Sequence, residues 1–181
     1  MAVIMTHTHF DHAGNAGMLR KRFSPLFIVH TFEKDFLESG DSPVPKGTMR
    51  WTRFIYNLGA ERVQQWFHVE GVPAGIVLED KYDLSEFGFN GFILNTPGHS
   101  SGSVSVVIDQ EIAIVGDTLG GFITGSVFPP WGDDTGEMIR SWKKLLDTGC
   151  KIFLPAHGFS ISREKLETEY SRRSDQLHAG D

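Results

Sequence analysis

Four short apolar runs in this 181-residue chain each lead into a histidine or an aspartate. "AVIMT" runs into His7 and His9, "GFILNTPGH" ends on His99, "EIAIVGD" on Asp117 and "KIFLPAH" on His157. Runs of this length, bounded by glycine, proline and polar residues, read as strands. A polar residue at a strand end sits where a rigid sheet meets a loop that is free to shape a pocket. Long stretches of chain separate the four ends, so they can act together only if the fold gathers the strands with these ends on one rim.

The segments between them alternate in type. "AGNAGMLRKRF" carries helical spacing at Met18, Leu19 and Phe23, so the local order after the first run is strand, loop, helix. "PLFIVH" reads as a buried strand and "TFEKDFLE" as a helix, with Thr31 as its cap and Glu33 or Lys34 on the wet face. "MRWTRFIYNLGAERVQQWFHV" is predicted helical with an interruption at Gly59. From Gly75 the period shortens, and successive strands follow through "GSVSVVID" and "EIAIVGD". "TGEMIRSWKKLLDTG" is a helix stopped by Gly149, "KIFLPAH" a buried strand, and Arg163 to about Leu177 a polar helix. With 40% apolar side chains and no linker or repeat, residues 1–181 are predicted to form a single domain of mixed α/β layers.

"THTHFDHAGN" concentrates His7, His9, Asp11 and His12 within six positions. Imidazoles and carboxylates are costly to bury without partners, so the cluster makes a poor core and a good metal site. Together with His99, Asp117 and His157 the candidates number five histidines and two aspartates. A single catalytic zinc typically takes three protein ligands and water, so the set fits two ions. Such a pair can share a hydroxide, polarise an electrophile and receive a leaving group. The only cysteine is Cys150, which excludes a cysteine-rich structural zinc site and an internal disulfide, and points to a cytoplasmic protein.

Charge narrows the classes further. Acidic residues outnumber basic ones 23 to 17, and no Lys/Arg block stands out, which disfavours a nucleic-acid surface and favours a small-molecule substrate. No apolar stretch approaches the roughly 20 residues of a membrane-spanning helix.

"THTHFDHAGN", "TPGHSSGS", "GDTL" and "PAHG", in that order, resemble the metal motifs of the metallo-β-lactamase-fold hydrolases, in particular the dinuclear branch that includes glyoxalase II. The resemblance implies an αββα layered sandwich. It also implies His7, His9 and His99 on a first metal, Asp11, His12 and His157 on a second, and Asp117 bridging the two. Asp11 would orient the bridging hydroxide or accept its proton. The β-lactamases of this fold carry cysteine in place of Asp117, and the diiron flavoproteins carry glutamate in place of His9; this chain has neither. The expected activity is therefore cleavage of an ester, thioester, lactone or phosphoester with two divalent ions, zinc ahead of iron or manganese. A noncatalytic metal-binding module is the alternative, and an RNA-processing nuclease is disfavoured by the acidic balance.

Phe128 and Trp131 in "VFPPWGDD" are candidate pocket residues, and Gly98 and Gly102 are expected to allow close backbone approach around His99. His30 is read as a strand-end residue, His68 and His178 as surface. Family members place further strands ahead of the first motif, so the N-terminal strands are expected to be shortened or missing, either because the chain is truncated at its N-terminus or because another subunit supplies the layer. The open side is expected to cause self-association through Ala2 to Thr6 or poor solubility. The extra helical region by which glyoxalase II holds glutathione is not recognised after Leu177, which argues for another substrate.

Overall fold

A computed structural model of the chain describes residues 1–64, 68–121 and 126–177. Strand β1 (Ala2–Ile4) is followed by a one-turn helix α1 (Phe10–Ala13), α2 (Ala16–Phe23), β2 (Leu26–His30), α3 (Thr31–Ser39) and α4 (Arg50–Gln64). Next come β3 (Ile76–Leu78), β4 (Lys81–Asp83), β5 (Gly91–Asn95), β6 (Val104–Ile108) and β7 (Ile112–Gly116). The described chain continues with α5 (Thr135–Asp147), β8 (Ile152–Pro155), β9 (Ile161–Ser162) and α6 (Arg163–Leu177).

The strands form two sheets. β1, β2 and β3 pair in parallel in that order, with Ile4 opposite Ile28 and Ile28 opposite Ile76. β4 to β9 lie in sequence order in a six-stranded sheet, antiparallel except for β7 and β8. That parallel pair needs a crossover, and α5 lies within it.

Three apolar clusters mark the interfaces of four layers, which gives the αββα sandwich. The period of two along each strand decides which cluster a residue joins. Phe27 and Val29 of β2 join Ala13, Ala16 and Leu37 beneath the N-terminal helices. Their neighbour Ile28 faces the other way and meets Ile93, Val104 and Val106 between the sheets. Val107 of β6, with Ala113, Val115 and Phe153, packs against Trp142, Leu145 and Leu166 of α5 and α6. β2 is thus covered on both faces, as a strand of a buried parallel sheet must be.

The structure corrects several local expectations. Met18 and Phe23 of α2 are exposed; the buried face is Ala16 and Gly17, small residues that seat the helix close to the sheet. α3 is capped by His30, whose Nδ1 accepts from the Phe32 amide at 3.2 Å, while Thr31 is already helical. Glu33 is buried, not wet, because it shares the inward face of α3 with Leu37 one turn on. β8 is covered on one face only: Phe153 is buried, while Ile152 and Leu154 are exposed beside Ile112 and Ile114 of β7, their partners in register. The three strands of the smaller sheet do not reach over this part of the larger one. β1 is an edge strand, paired with β2 alone among the described residues. Gly59 does interrupt α4, with non-helical backbone there. No helix among the described residues is long and apolar enough to cross a membrane.

Candidate metal centre

Two backbone bonds hold the rim from which the histidines project. The Met5 amide donates to the Ile28 carbonyl at 2.9 Å, and the Val104 amide to the Thr6 carbonyl at 2.8 Å, so the end of β1 is tied to both sheets. Beyond it the chain runs extended, which puts His7 and His9 two residues apart on one side. His9 then becomes the N-cap of α1, its carbonyl accepting from the His12 and Ala13 amides, and the single helical turn carries Asp11 and His12 back toward the same point.

The other three side chains arrive from the larger sheet. His99 follows β5 after Gly98, whose φ of +127° and contact with the α5 backbone leave no room for a side chain: a Cβ would lie 2.3 Å from the Met138 nitrogen. Asp117 follows β7 directly, after a register irregularity between Ile114 and Gly116. His157 follows β8, held by bonds from the Ala156 amide to the Gly116 carbonyl and from the Gly121 amide to the His157 carbonyl.

All seven side chains converge. The His7 and His12 rings lie 4.0 Å apart between centroids, His7 and His9 4.6 Å, and His7 and His99 4.7 Å. Asp117 Oδ2 lies 3.5 Å from His99 Nε2, 3.6 Å from His12 Nε2 and 3.7 Å from His157 Nε2. Asp11 Oδ2 lies 3.1 Å from His157 Nε2 on the open side. Three triads each bring their donor atoms within 4.8 Å of one another: His7, His9 and His99; His7, His12 and Asp117; Asp11, His12 and His157.

Burial leaves much of this chemistry unsatisfied. His7 Nε2, His9 Nε2, His12 Nε2 and Asp117 Oδ1 are buried without a hydrogen-bond partner, at a typical cost of about 1–3 kcal/mol for each orphaned group. Burial pushes the His7 imidazole well below its ordinary pKa, and the neighbouring imidazoles push the same way. Burial and then His99 bring His9 down to about 3, and burial lowers His99. His12 also suffers from burial, but the Asp117 and Asp11 carboxylates outweigh it and raise its pKa. Asp117 is held low against its own burial by His12, His99 and His157. The result is neutral imidazole lone pairs on His7, His9 and His99 beside the ionised Asp117 carboxylate in one enclosed place. That donor set fits divalent first-row cations, and Cys150, buried in the core under α5, adds no thiolate to it.

Surrounding groups fix the donors. The Trp131 carbonyl can only accept, so its 3.0 Å contact with His99 Nδ1 places the proton there and leaves the lone pair on Nε2, which lies 2.9 Å from His9 Nδ1. Thr6 Oγ1 lies 3.3 Å from His7 Nδ1 and holds that edge of the ring, while His7 Nε2 stays without a partner in the cluster. Glu33, which the sequence reading placed in solvent, joins the two loops. One oxygen accepts from the Thr8 amide at 2.9 Å and from the Thr8 hydroxyl, the other from the Ser100 hydroxyl at 2.6 Å and the Gly102 amide at 3.2 Å. Gly102 makes room for it, since a Cβ there would lie 2.5 Å from the Glu33 side chain. The available signal was the helical spacing of Glu33 with buried Leu37.

A cavity of about 640 Å³ opens over the site, floored by His9, Asp11, His99, Asp117 and His157. Trp131 lines it; Phe128 does not, and packs in the core with its ring 5.2 Å from that of Trp142. His30 lies at a strand end, buried, with Nε2 donating to the Glu79 carbonyl. His68 is exposed, 3.3 Å from Asp41. His178 lies outside the described residues.

Comparison with known proteins agrees with this geometry. Over 177 residues the chain is 27% identical to the probable metallo-hydrolase YqgX of Bacillus subtilis, covering 97% of this chain and 74% of that one. It is 32% identical to hydroxyacylglutathione hydrolase GloC of Haemophilus influenzae, over 93% of this chain and 74% of that one. It is 26% identical to the atrochrysone carboxyl ACP thioesterase of Aspergillus fumigatus, over 94% of this chain but only 43% of that longer protein. Among solved structures, the BLEG-1 B3 metallo-beta-lactamase superposes with a TM-score of 0.67 at 26% identity, over 91% of this chain and 73% of that one. The family model of the metallo-beta-lactamase superfamily matches residues 1–157, from the first strand through the last of the converging histidines, and the chain belongs to that superfamily.

Proposed function

We propose that the chain, as one domain, is a hydrolase of carboxylic esters and thioesters that works with two divalent cations. His7, His9 and His99 would hold one, Asp11, His12 and His157 the other, with Asp117 placed between the two groups. The observation that carries this reading is the position of Asp117 Oδ2, within 3.5–3.7 Å of imidazole nitrogens from both groups. The hydrolase names of YqgX and GloC and the thioesterase from Aspergillus support the reaction class. Zinc is the proposed cation, because neutral imidazole and carboxylate suit it and affinity places it above iron and manganese.

Bound there, the cations supply Lewis acidity and lower the pKa of water. The chain supplies the rest. Asp11, on the half-open side of the cluster, would orient the attacking water, accept its proton on the carboxylate oxygen not turned to His12 and His157, and return it to the leaving group. The Trp131 carbonyl keeps the His99 lone pair aimed inward, and the cavity presents the scissile carbonyl to the buried donors. The lone cysteine, buried and unpaired, favours a cytoplasmic setting, and the free edge of β1 favours a homo-oligomer through the N-terminal layer.

The test is a panel of thioesters, esters, lactones, β-lactams and phosphodiesters, run with protein of measured metal content. Thioester or ester turnover with about two cations per chain is expected, and His9→Ala should lose both metal and rate. Full activity of that variant with unchanged metal refutes the assignment.

A further inference from the structure

The floor of the cavity is polar and its walls are not. Val44, Pro45, Ile55, Leu58, Pro130 and Trp131 enclose the space above the histidines, and no Lys or Arg lines it among the described residues. Two independent features point to what the walls receive. First, α4 carries Trp51, Ile55 and Leu58 at spacings of four and three, a single stripe on one helix face. These side chains are 55%, 50% and 67% exposed, and the only buried one described on this helix is Thr52. Trp51 stands edge-on to Trp131 with ring centroids 6.2 Å apart, and Ile55 and Leu58 continue the stripe into the cavity. Second, this wall is braced. The Thr48 amide and hydroxyl donate to the Pro130 and Pro129 carbonyls at 3.0 and 2.6 Å, and the Gly132 amide to the Lys46 carbonyl at 2.7 Å.

We propose that this cavity binds an apolar, uncharged acyl chain, so that the substrates are medium-length fatty acyl thioesters or esters. The proposal rests on the hydrolase reading above and adds the substrate class to it. An aliphatic chain buries the stripe of α4 that the folded protein leaves in water, which favours binding in proportion to its length. A carboxylate or phosphate at the far end of the acyl group meets no counter-charge on these walls and loses its hydration there. A volume of about 640 Å³ lies within the usual range for small-molecule sites and leaves space for such a chain beyond the reacting carbonyl.

Two measurements on the metal-loaded full chain test this. In the first, thioesters with one leaving group and acetyl, butyryl, hexanoyl or octanoyl chains are compared with succinyl and glutaryl counterparts. The expected result is a rise in kcat/KM of about fourfold per methylene until the cavity is filled, and strong discrimination against the ω-carboxylates. Ile55→Ser and Leu58→Ser should flatten the slope with length. In the second, neutral methyl ketones of the same lengths, which cannot be hydrolysed, are titrated while tryptophan fluorescence is followed, with and without metal. Affinity rising with length supports the proposal even where no thioester or ester is turned over, a result that would sink the hydrolase reading alone. Turnover independent of chain length, a preference for the ω-carboxylates, or ketone affinities that ignore length overturn the proposal while leaving hydrolysis intact.

Discussion

Glu33 and Thr8 lie 25 residues apart in sequence and are joined twice, the carboxylate accepting from both the amide and the hydroxyl of the residue between His7 and His9. The other oxygen serves the residues just past His99. One buried carboxylate therefore sets the spacing between two ligand loops that come from different sheets. Glu33→Gln keeps the volume but turns an amide NH₂ toward groups that also donate. Its expected effect is a 10- to 100-fold loss of metal affinity, measured by competition with a chromophoric chelator. Glu33→Ala leaves several donors unpaired and should cost at least about 3 kcal/mol in urea unfolding.

Metal-free protein should lose stability on mild acidification. His7, His9 and His99 have pKa values depressed in the fold, His9 to about 3, against an unfolded value of 6.5. Between those limits the unfolded chain binds more protons, so stability rises with pH and falls as pH drops below 6.5. The raised pKa of His12 opposes this, while burial also depresses His30, so one imidazole stands against four. The urea midpoint of chelator-treated protein should be lower at pH 5.5 than at pH 7.5, and His9→Asn should narrow the gap. A midpoint that rises on acidification contradicts the assignment of neutral imidazoles.

Asp11→Asn tests the proton role. The amide keeps the shape and cannot accept the proton, so kcat should fall by about 10²–10⁴-fold. The cation at His7, His9 and His99 should remain, and metal content measured beside the rate separates the two effects. A variant with wild-type kcat excludes Asp11 as the base.

The uncovered side of the larger sheet makes a prediction about behaviour in solution. Ile112, Ile114, Ile152 and Leu154 form an exposed aliphatic patch on adjacent strands. Ile114→Thr with Leu154→Thr keeps β-forming shape, removes apolar surface and leaves the ligands alone. Sedimentation should show less association than the parent chain at micromolar concentration, with unchanged metal content.

Much of the candidate site could be read from the chain because its logic is local: His7, His99, Asp117 and His157 stand just past short apolar runs, such ends share a rim once strands pair, and Asp11 and His12 follow close behind on one helical turn. The strand and helix order was legible for the same reason. What escaped depended on phase or on distance. Glu33 looked solvent-facing until α3 acquired a partner on the side of Leu37, and Met18 and Phe23 looked like a core face until Ala16 and Gly17 took that place. Phe128 and Trp131 lie three residues apart in one loop, and the sequence offers nothing to say that one enters the core and the other the cavity. The half-covered β8 could not be read from "KIFLPAH", because the strand's composition is that of one buried on both faces.

The order of the ligands along the polypeptide also sets an order in time. His7, His9, Asp11 and His12 leave the ribosome early, before the other candidate ligands exist. His99 and Asp117 follow strands of the larger sheet, and His157 follows β8, which pairs with β7. Tight metal uptake by the proposed donor set is thus expected late in the biogenesis of the protein, since a nascent chain arrested before Pro155 still lacks His157. Cation retention by chains stalled at successive lengths would chart how far folding has progressed.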